Sequence, residues 1–206
     1  FFQLNKKLKI GLQNKYKWNV GDKIIIYTGT LGEINGVEYL VDIANEFTEI
    51  NNKVKLLIVG DGIEEQAIRN KAKIYNCLDN NLFMINQLPK NKMPGLYNLS
   101  TIATSLFIPL KEMEAHSANK FFDTLAAGKP IVINYGGWQK DLIEKHNIGL
   151  VLARDPKVAA NELNELLLND ELLNTKGKNA LALAKSEFSR DKLAQELIHI
   201  LESLVS

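Results

Sequence analysis

Six short runs of aliphatic and β-branched residues, each followed by a stretch of helical periodicity or by the chain's helical tail, constrain this chain more than any other feature. They are Lys23 to Thr28, Val54 to Val59, Leu82 to Ile85, Ile102 to Phe107, Pro130 to Ile133 and Ile148 to Leu152. A strand with one wet face alternates apolar and polar residues. Runs that are apolar throughout are buried on both faces, which calls for a parallel sheet covered by helices on each side. Between the runs, apolar residues recur at three- and four-residue spacing, as Val37, Leu40, Val41, Ala44 and Phe47 do after the first. Further helices are expected up to about Tyr75, at Met93 to Leu99, from about Asn119 to Ala127 and from about Gln139 to Glu144. The remainder reads as helical, broken near Asn169-Asp170 and Phe188-Ser189, with Ser189 placed to cap the last helix. The fold class that follows is α/β: a doubly wound, Rossmann-like, six-stranded parallel sheet with helices on both faces. Its ligand crevice is expected at the carboxyl ends of the strands.

The bulk properties exclude several function classes. The 206 residues suffice for one large buried core, and 46% hydrophobic with 24% charged residues is ordinary for a globular chain. A net charge of +1 gives no basic face for nucleic acid. The single cysteine, Cys77, cannot form an internal disulfide, so nothing asks for an oxidising compartment and a cytoplasmic location is expected. No apolar run approaches the roughly 18 residues of a membrane span. The opening Phe1 to Lys7 lacks the apolar stretch of a signal peptide. It also lacks an initiator Met, so the chain is expected to be a fragment or a processed product. No internal repeat or long linker divides it. The lysines at 6–7, 71–73 and 90–92 are expected on solvated faces.

Three segments could carry chemistry. Gly29-Thr30-Leu31-Gly32 follows the first strand and precedes a helix. Backbone N–H groups there can approach a phosphate, helped by the helix N-terminus; a plain tight turn serves equally well as an explanation. Gly60-Asp61-Gly62 closes the second strand and is expected to be structural, with Asp61 available to cap the next helix. The richest segment runs from Ser117 to Pro130. It opens on the capping-type residues Ser117 and Asn119 and carries Lys120 and Asp123 three residues apart, hence on one helix face. An ammonium and a carboxylate so placed can hold a phosphate and a ribose diol together; a surface ion pair is the alternative. The three histidines, His116, His146 and His199, show no metal-ligand spacing, and no Asp-x-Asp occurs to bridge a metal to a diphosphate. Trp18 and Trp138 are expected to be packing residues.

Taken in order, these segments resemble a known family. Ile26 to Leu31 with Asn35-Gly36, Leu57 to Gly62, Leu88-Pro89 with Met93 to Tyr97, Asp123 to Pro130 and Glu187 to Asp191 are similar to the donor domain of bacterial group 1 (family four) glycosyltransferases of GT-B architecture. The stretch Ser117 to Asp123 looks closest to the subgroup that builds capsule or O-antigen polysaccharide. The resemblance implies a donor-binding domain over residues 23–206, with residues 1–22 leading in from an N-terminal acceptor domain. It implies retaining transfer from a UDP- or GDP-sugar to a glycan or lipid-linked acceptor, with no cofactor and no metal. The whole enzyme would be cytoplasmic, with a peripheral place at the inner membrane face open to it, and a lone donor half would transfer no sugar.

The resemblance also distributes roles. Common members hold the diphosphate with an Arg after the first-strand glycine and a Lys before the next; here those positions are Thr30 and Asn35. Of two family glutamates eight positions apart, the second aligns with Asp123 and the first falls on Ala115, beside Glu114. Lys120 is therefore the expected substitute cation. Asp123 is expected on the ribose, the 29–32 backbone on the phosphate or sugar, and Glu114 and His116 at the donor sugar. The base is expected against the segment from Asn86 to Lys92, including Gln87 and Leu88. A sugar-nucleotide epimerase half and a non-catalytic nucleotide-binding module are the competing interpretations.

Overall fold

The computed structural model describes residues 6–205. Residues 1–5, part of the opening read as no signal peptide, lie outside it. Six strands, β1 (Lys23–Thr28), β2 (Val54–Val59), β3 (Leu82–Ile85), β4 (Ile102–Ser105), β5 (Ile131–Ile133) and β6 (Gly149–Val151), form one sheet in the order β3-β2-β1-β4-β5-β6. Every pairing is parallel, with Ile25 opposite both Leu56 and Ile102. The fifth run loses its first residue to the preceding loop because Pro130 has no N–H for the ladder; its carbonyl still accepts from Ala103. At the end of the fourth run, the Phe107 N–H leaves the ladder for the Asn134 side chain at 3.0 Å.

Helices α1 (Lys6–Tyr16), α2 (Glu38–Ile50), α3 (Glu65–Ile74), α4 (Met93–Leu99), α5 (Asn119–Ala126), α6 (Trp138–His146), α7 (Pro156–Leu168), α8 (Asp170–Glu187) and α9 (Arg190–Val205) complete the described chain. Side chains alternate across a strand, so β1 and β2 feed two cores. Ile25, Tyr27, Leu56 and Ile58 pack with residues of α2, α3 and α7, whereas Ile24, Ile26, Leu57 and Val59 pack with α4. Residues of α5, α6 and α8 build a third cluster around Ile131 and Ile133. The segment before Lys23 joins the same body: Leu12 and Trp18 are buried against the α4 face, where Trp18 meets Tyr16 and Phe83. Trp138 likewise packs on Phe121 and Phe122.

Caps explain several boundaries. Asp155 accepts from the Lys157 and Val158 N–H groups, with Pro156 at the first helical position of α7, and Ser189 accepts from Lys192 at the start of α9. Asp61 does not cap α3, whose first turn has no side-chain cap. Along α9, Leu193, Leu197, Ile198, Ile200, Leu201 and Leu204 are exposed. No helix among the described residues is long and apolar enough to cross a membrane.

Candidate functional site

The strand order reverses between β1 and β4, so the loops leaving those two strands diverge and open a crevice at the carboxyl edge. A cavity of about 690 Å³ occupies this place. Thr28 and Val59 form its floor at the strand ends, the loop after β3 contributes Gln87, Leu88 and Lys90, and Phe107 follows β4. Ala118, Asn119, Lys120 and Asp123 bring the N-terminal part of α5 to the wall. The volume is within the range of small-molecule sites.

Lys120 reaches from α5 to the end of β1. Its ammonium donates to the Tyr27 hydroxyl at 3.0 Å and to Asn35 Oδ1 at 3.3 Å, and lies 4.3 Å from the Tyr27 ring centroid. Burial without a carboxylate partner lowers its pKa to about 8, because desolvation penalises the charged form. Asp123, one turn on, lines the same cavity; burial raises its pKa while Lys90 pulls the other way. The cation and the acid thus share one wall without pairing in any salt bridge seen among the described residues.

The remaining expected residues divide. Gly29, Thr30, Asn35, Gln87, Leu88, His116 and Asn119 line the cavity with Lys120 and Asp123. His116 is exposed and packs its ring on Phe107 at 4.7 Å. Leu31 does not face the cavity: its side chain is fully buried and its N–H donates to the Asp61 carbonyl at 2.8 Å. The Gly29 N–H is engaged too, with the Val59 carbonyl, so of the expected phosphate donors in this loop these two are already satisfied. Gly32 belongs to a neighbouring groove with Glu33, Glu38 and Asp42. Ser117 is exposed and off the wall, and neither it nor Asn119 caps α5, whose cap residue is Ala118 with no side-chain bond. The Phe121 N–H bonds the Ala118 carbonyl, and the N–H groups of Asn119 and Lys120 ahead of it have no side-chain cap. Glu114 also lies off the wall, in the turn Lys111–Ala115, where it packs against Gly136 and Gly137; a Cβ on Gly137 would stand 2.2 Å from the Glu114 carbonyl oxygen.

Sequence reasoning missed Tyr27, which reads as one more apolar strand residue; only the fold brings its hydroxyl to Lys120. Lys90, exposed as expected, lies in the segment assigned to the base and lines the cavity. Among the described residues, no group of three or more His, Cys, Asp or Glu is gathered to hold a metal ion.

Set beside known proteins, residues 10–182 match the family model described as "Glycosyl transferases group 1". Spore coat protein SA of Bacillus subtilis is 25% identical over 190 residues, covering 88% of this chain and 49% of that protein; the chain spans about half the length of the curated relatives it matches. The crystal structure of Anabaena HepE in complex with UDP superposes with a TM-score of 0.83 at 16% identity, over 98% of this chain and 54% of that one. The C-terminal domain of a glycosyl transferase group 1 family protein (LpcC) from Francisella tularensis superposes with a TM-score of 0.70 at 15% identity, over 92% of this chain and 96% of that one. The same parallel sheet thus recurs in glycosyltransferase structures, and the match over most of its length shows that this chain belongs to the group 1 glycosyl transferases.

Proposed function

We propose that this chain is the donor-binding half of a two-domain, retaining glycosyltransferase and holds a nucleoside-diphosphate sugar in the β1/β4 crevice. The observation that carries the proposal is Lys120 and Asp123 on one wall of a cavity at the sheet's carboxyl edge. Lys120 meets the diphosphate and stabilises the negative charge that grows on it as the sugar leaves, the uncapped start of α5 adding its partial positive charge. Asp123 accepts from the ribose hydroxyls, Gln87 and Leu88 flank the base, and His116 stands at the donor sugar. UDP in the HepE complex supports a uridine nucleotide, with GDP as the other candidate. Metal-independent chemistry, a glycan or lipid-linked acceptor, and surface-polysaccharide synthesis at the inner membrane face complete the reading.

The acceptor domain is proposed to precede residue 23 and to face the crevice. Ile34, Ile63 and Leu110, apolar and exposed in the loops leaving β1, β2 and β4, support a second body at that edge. The chain by itself is then expected to bind donor nucleotide without transferring sugar. Transfer by the full-length protein, rather than interconversion of the free donor or binding alone, would separate a transferase from an epimerase or an inert module.

Calorimetric titration with UDP, GDP and inorganic diphosphate tests the site. The chain should bind at least one nucleoside diphosphate. Lys120→Ala should weaken it about tenfold or more, the loss of charge-assisted bonds of about 1.5–3 kcal/mol. Asp123→Asn should weaken nucleotides but not inorganic diphosphate. Unchanged affinity in Lys120→Ala removes the lysine from the site, and an equal loss for both ligands in Asp123→Asn contradicts the ribose role.

A further inference from the structure

The place that the family gives to an arginine and a lysine holds Thr30 and Asn35 here, and the Lys120 ammonium reaches this spot from a different element. What aims it is visible in the geometry. Tyr27 is fully buried at the end of β1, its ring clamped in the core that α2 and α7 cover. Its hydroxyl donates to the Thr30 carbonyl at 2.9 Å. A phenol has a single proton, so towards Lys120 its oxygen presents a lone pair and accepts from the ammonium. The ring lies close enough for a cation–π attraction as well. Asn35 Oδ1 takes a second N–H. An ammonium has three, which leaves the third to be directed by the other two. Gly29 completes the arrangement: its φ is +141°, and a Cβ there would stand 3.2 Å from the ammonium nitrogen.

We propose that Tyr27 is the positioning residue of the phosphate subsite: its hydroxyl, oriented by Thr30, holds the Lys120 ammonium over Gly29 at the mouth of the crevice. This rests on the nucleotide-binding reading above and adds to it how a lysine from α5 is aimed at the place of the family's cations. Without the phenol oxygen the long, flexible side chain samples other rotamers, and ordering it on a phosphate costs affinity. A hydroxyl oxygen and a ring face each favour a charged ammonium, against the burial that depresses its pKa. The other ionisable side chains lining the cavity are Asp123 on α5, Lys90 after β3 and His116 before α5.

The test is a double-mutant cycle in UDP affinity, measured by calorimetry from about pH 6 to about pH 10 so as to bracket the lysine titration. Tyr27→Phe keeps the buried ring, and thermal melts verify that the fold persists. Near neutral pH it should weaken UDP about tenfold, a typical cost for one hydrogen bond to a charged group. The pH at which affinity falls should lie lower than in wild type. In a Lys120→Ala background the same substitution should change nothing further. Wild-type affinity with an unshifted pH profile, or an equal loss whether or not Lys120 is present, overturns the proposal. Failure of the wild-type chain to bind UDP or GDP at any pH would instead remove the nucleotide reading, and this inference with it.

Discussion

Lys120 is where stability and binding pull apart. Burial holds its pKa at about 8 against an ordinary 10.5, and no described salt bridge compensates it. Between those values the unfolded chain binds more protons than the folded one, so this group's cost to stability is fully present below about pH 8 and is relieved as pH rises towards 10.5. Lys120→Met should therefore raise the melting temperature at pH 7, by about 2–4 °C for each kcal/mol relieved, while abolishing most nucleotide affinity. The gain should shrink towards pH 10; a melting temperature that falls at pH 7 contradicts this account of the lysine. A bound phosphate reverses the balance by favouring the charged form, so nucleotide affinity should decline as pH rises through about 8. Lys120 and Asp123 were legible in the sequence because polar residues three apart, at the start of a helix that ends in small residues before a strand, share a face. Tyr27 was not, since the partner that gives its hydroxyl a purpose lies 93 positions away. Glu114 was expected at the sugar by proximity in sequence, yet the turn that holds it packs it on Gly136 and Gly137 instead.

Elements position the crevice through close backbone approach. The loop after β1 passes directly over the loop after β2: a Cβ on Gly60 would stand 1.8 Å from the Gly29 carbonyl oxygen, and one on Gly62 2.3 Å from that of Leu31. Leu31 also exchanges bonds with this neighbour, donating to Asp61 and accepting from Glu64. The glycines of Gly60-Asp61-Gly62 are thus needed for the path of the chain, as their turn chemistry suggested, while the capping role expected of Asp61 is not observed. Gly60→Ala must push residues 29–31 away. It should cost about 1–3 kcal/mol of stability, as overpacking does, and lower UDP affinity together with it, read from melts and titration on one sample. A stable Gly60→Ala chain with full affinity would show that the loop path does not matter to the site. From residue 23 onward, strand and helix positions were legible to within about three residues because apolar runs and helical spacing are local signals, whereas α1 (Lys6–Tyr16) was not expected. The cap of α5 was misjudged: Ser117 and Asn119 flank the start, but Ala118 occupies the cap position, and no side chain answers the first N–H groups.

At the scale of the molecule, six apolar runs predicted a parallel sheet, and the structure supplies its order. The order matters because it sets the site: the first strand is flanked by the second on one side and the fourth on the other, so the connections leaving β1 and β4 run to opposite sides and part between them. No local sequence signal encodes that divergence, which is why Phe107 joined the wall unannounced. The crevice then gathers an ammonium from α5, held from behind by a buried phenol on β1, and a carboxylate one helical turn away. In the 370 Å³ hollow near the opposite ends of the strands, between Thr101, Gly128 and α8, Lys129 is bonded to the Asn98 and Ser100 carbonyls and Asp170 is paired with Lys23. The direct measurement is amide chemical-shift mapping of the isotope-labelled chain during titration with UDP. Shifts concentrated at Gly29, Thr30, Asn35, Gln87, Leu88, Asn119, Lys120 and Asp123, absent from the hollow by Thr101 and Gly128, are the predicted result. Saturable shifts centred anywhere other than the β1/β4 crevice would contradict it.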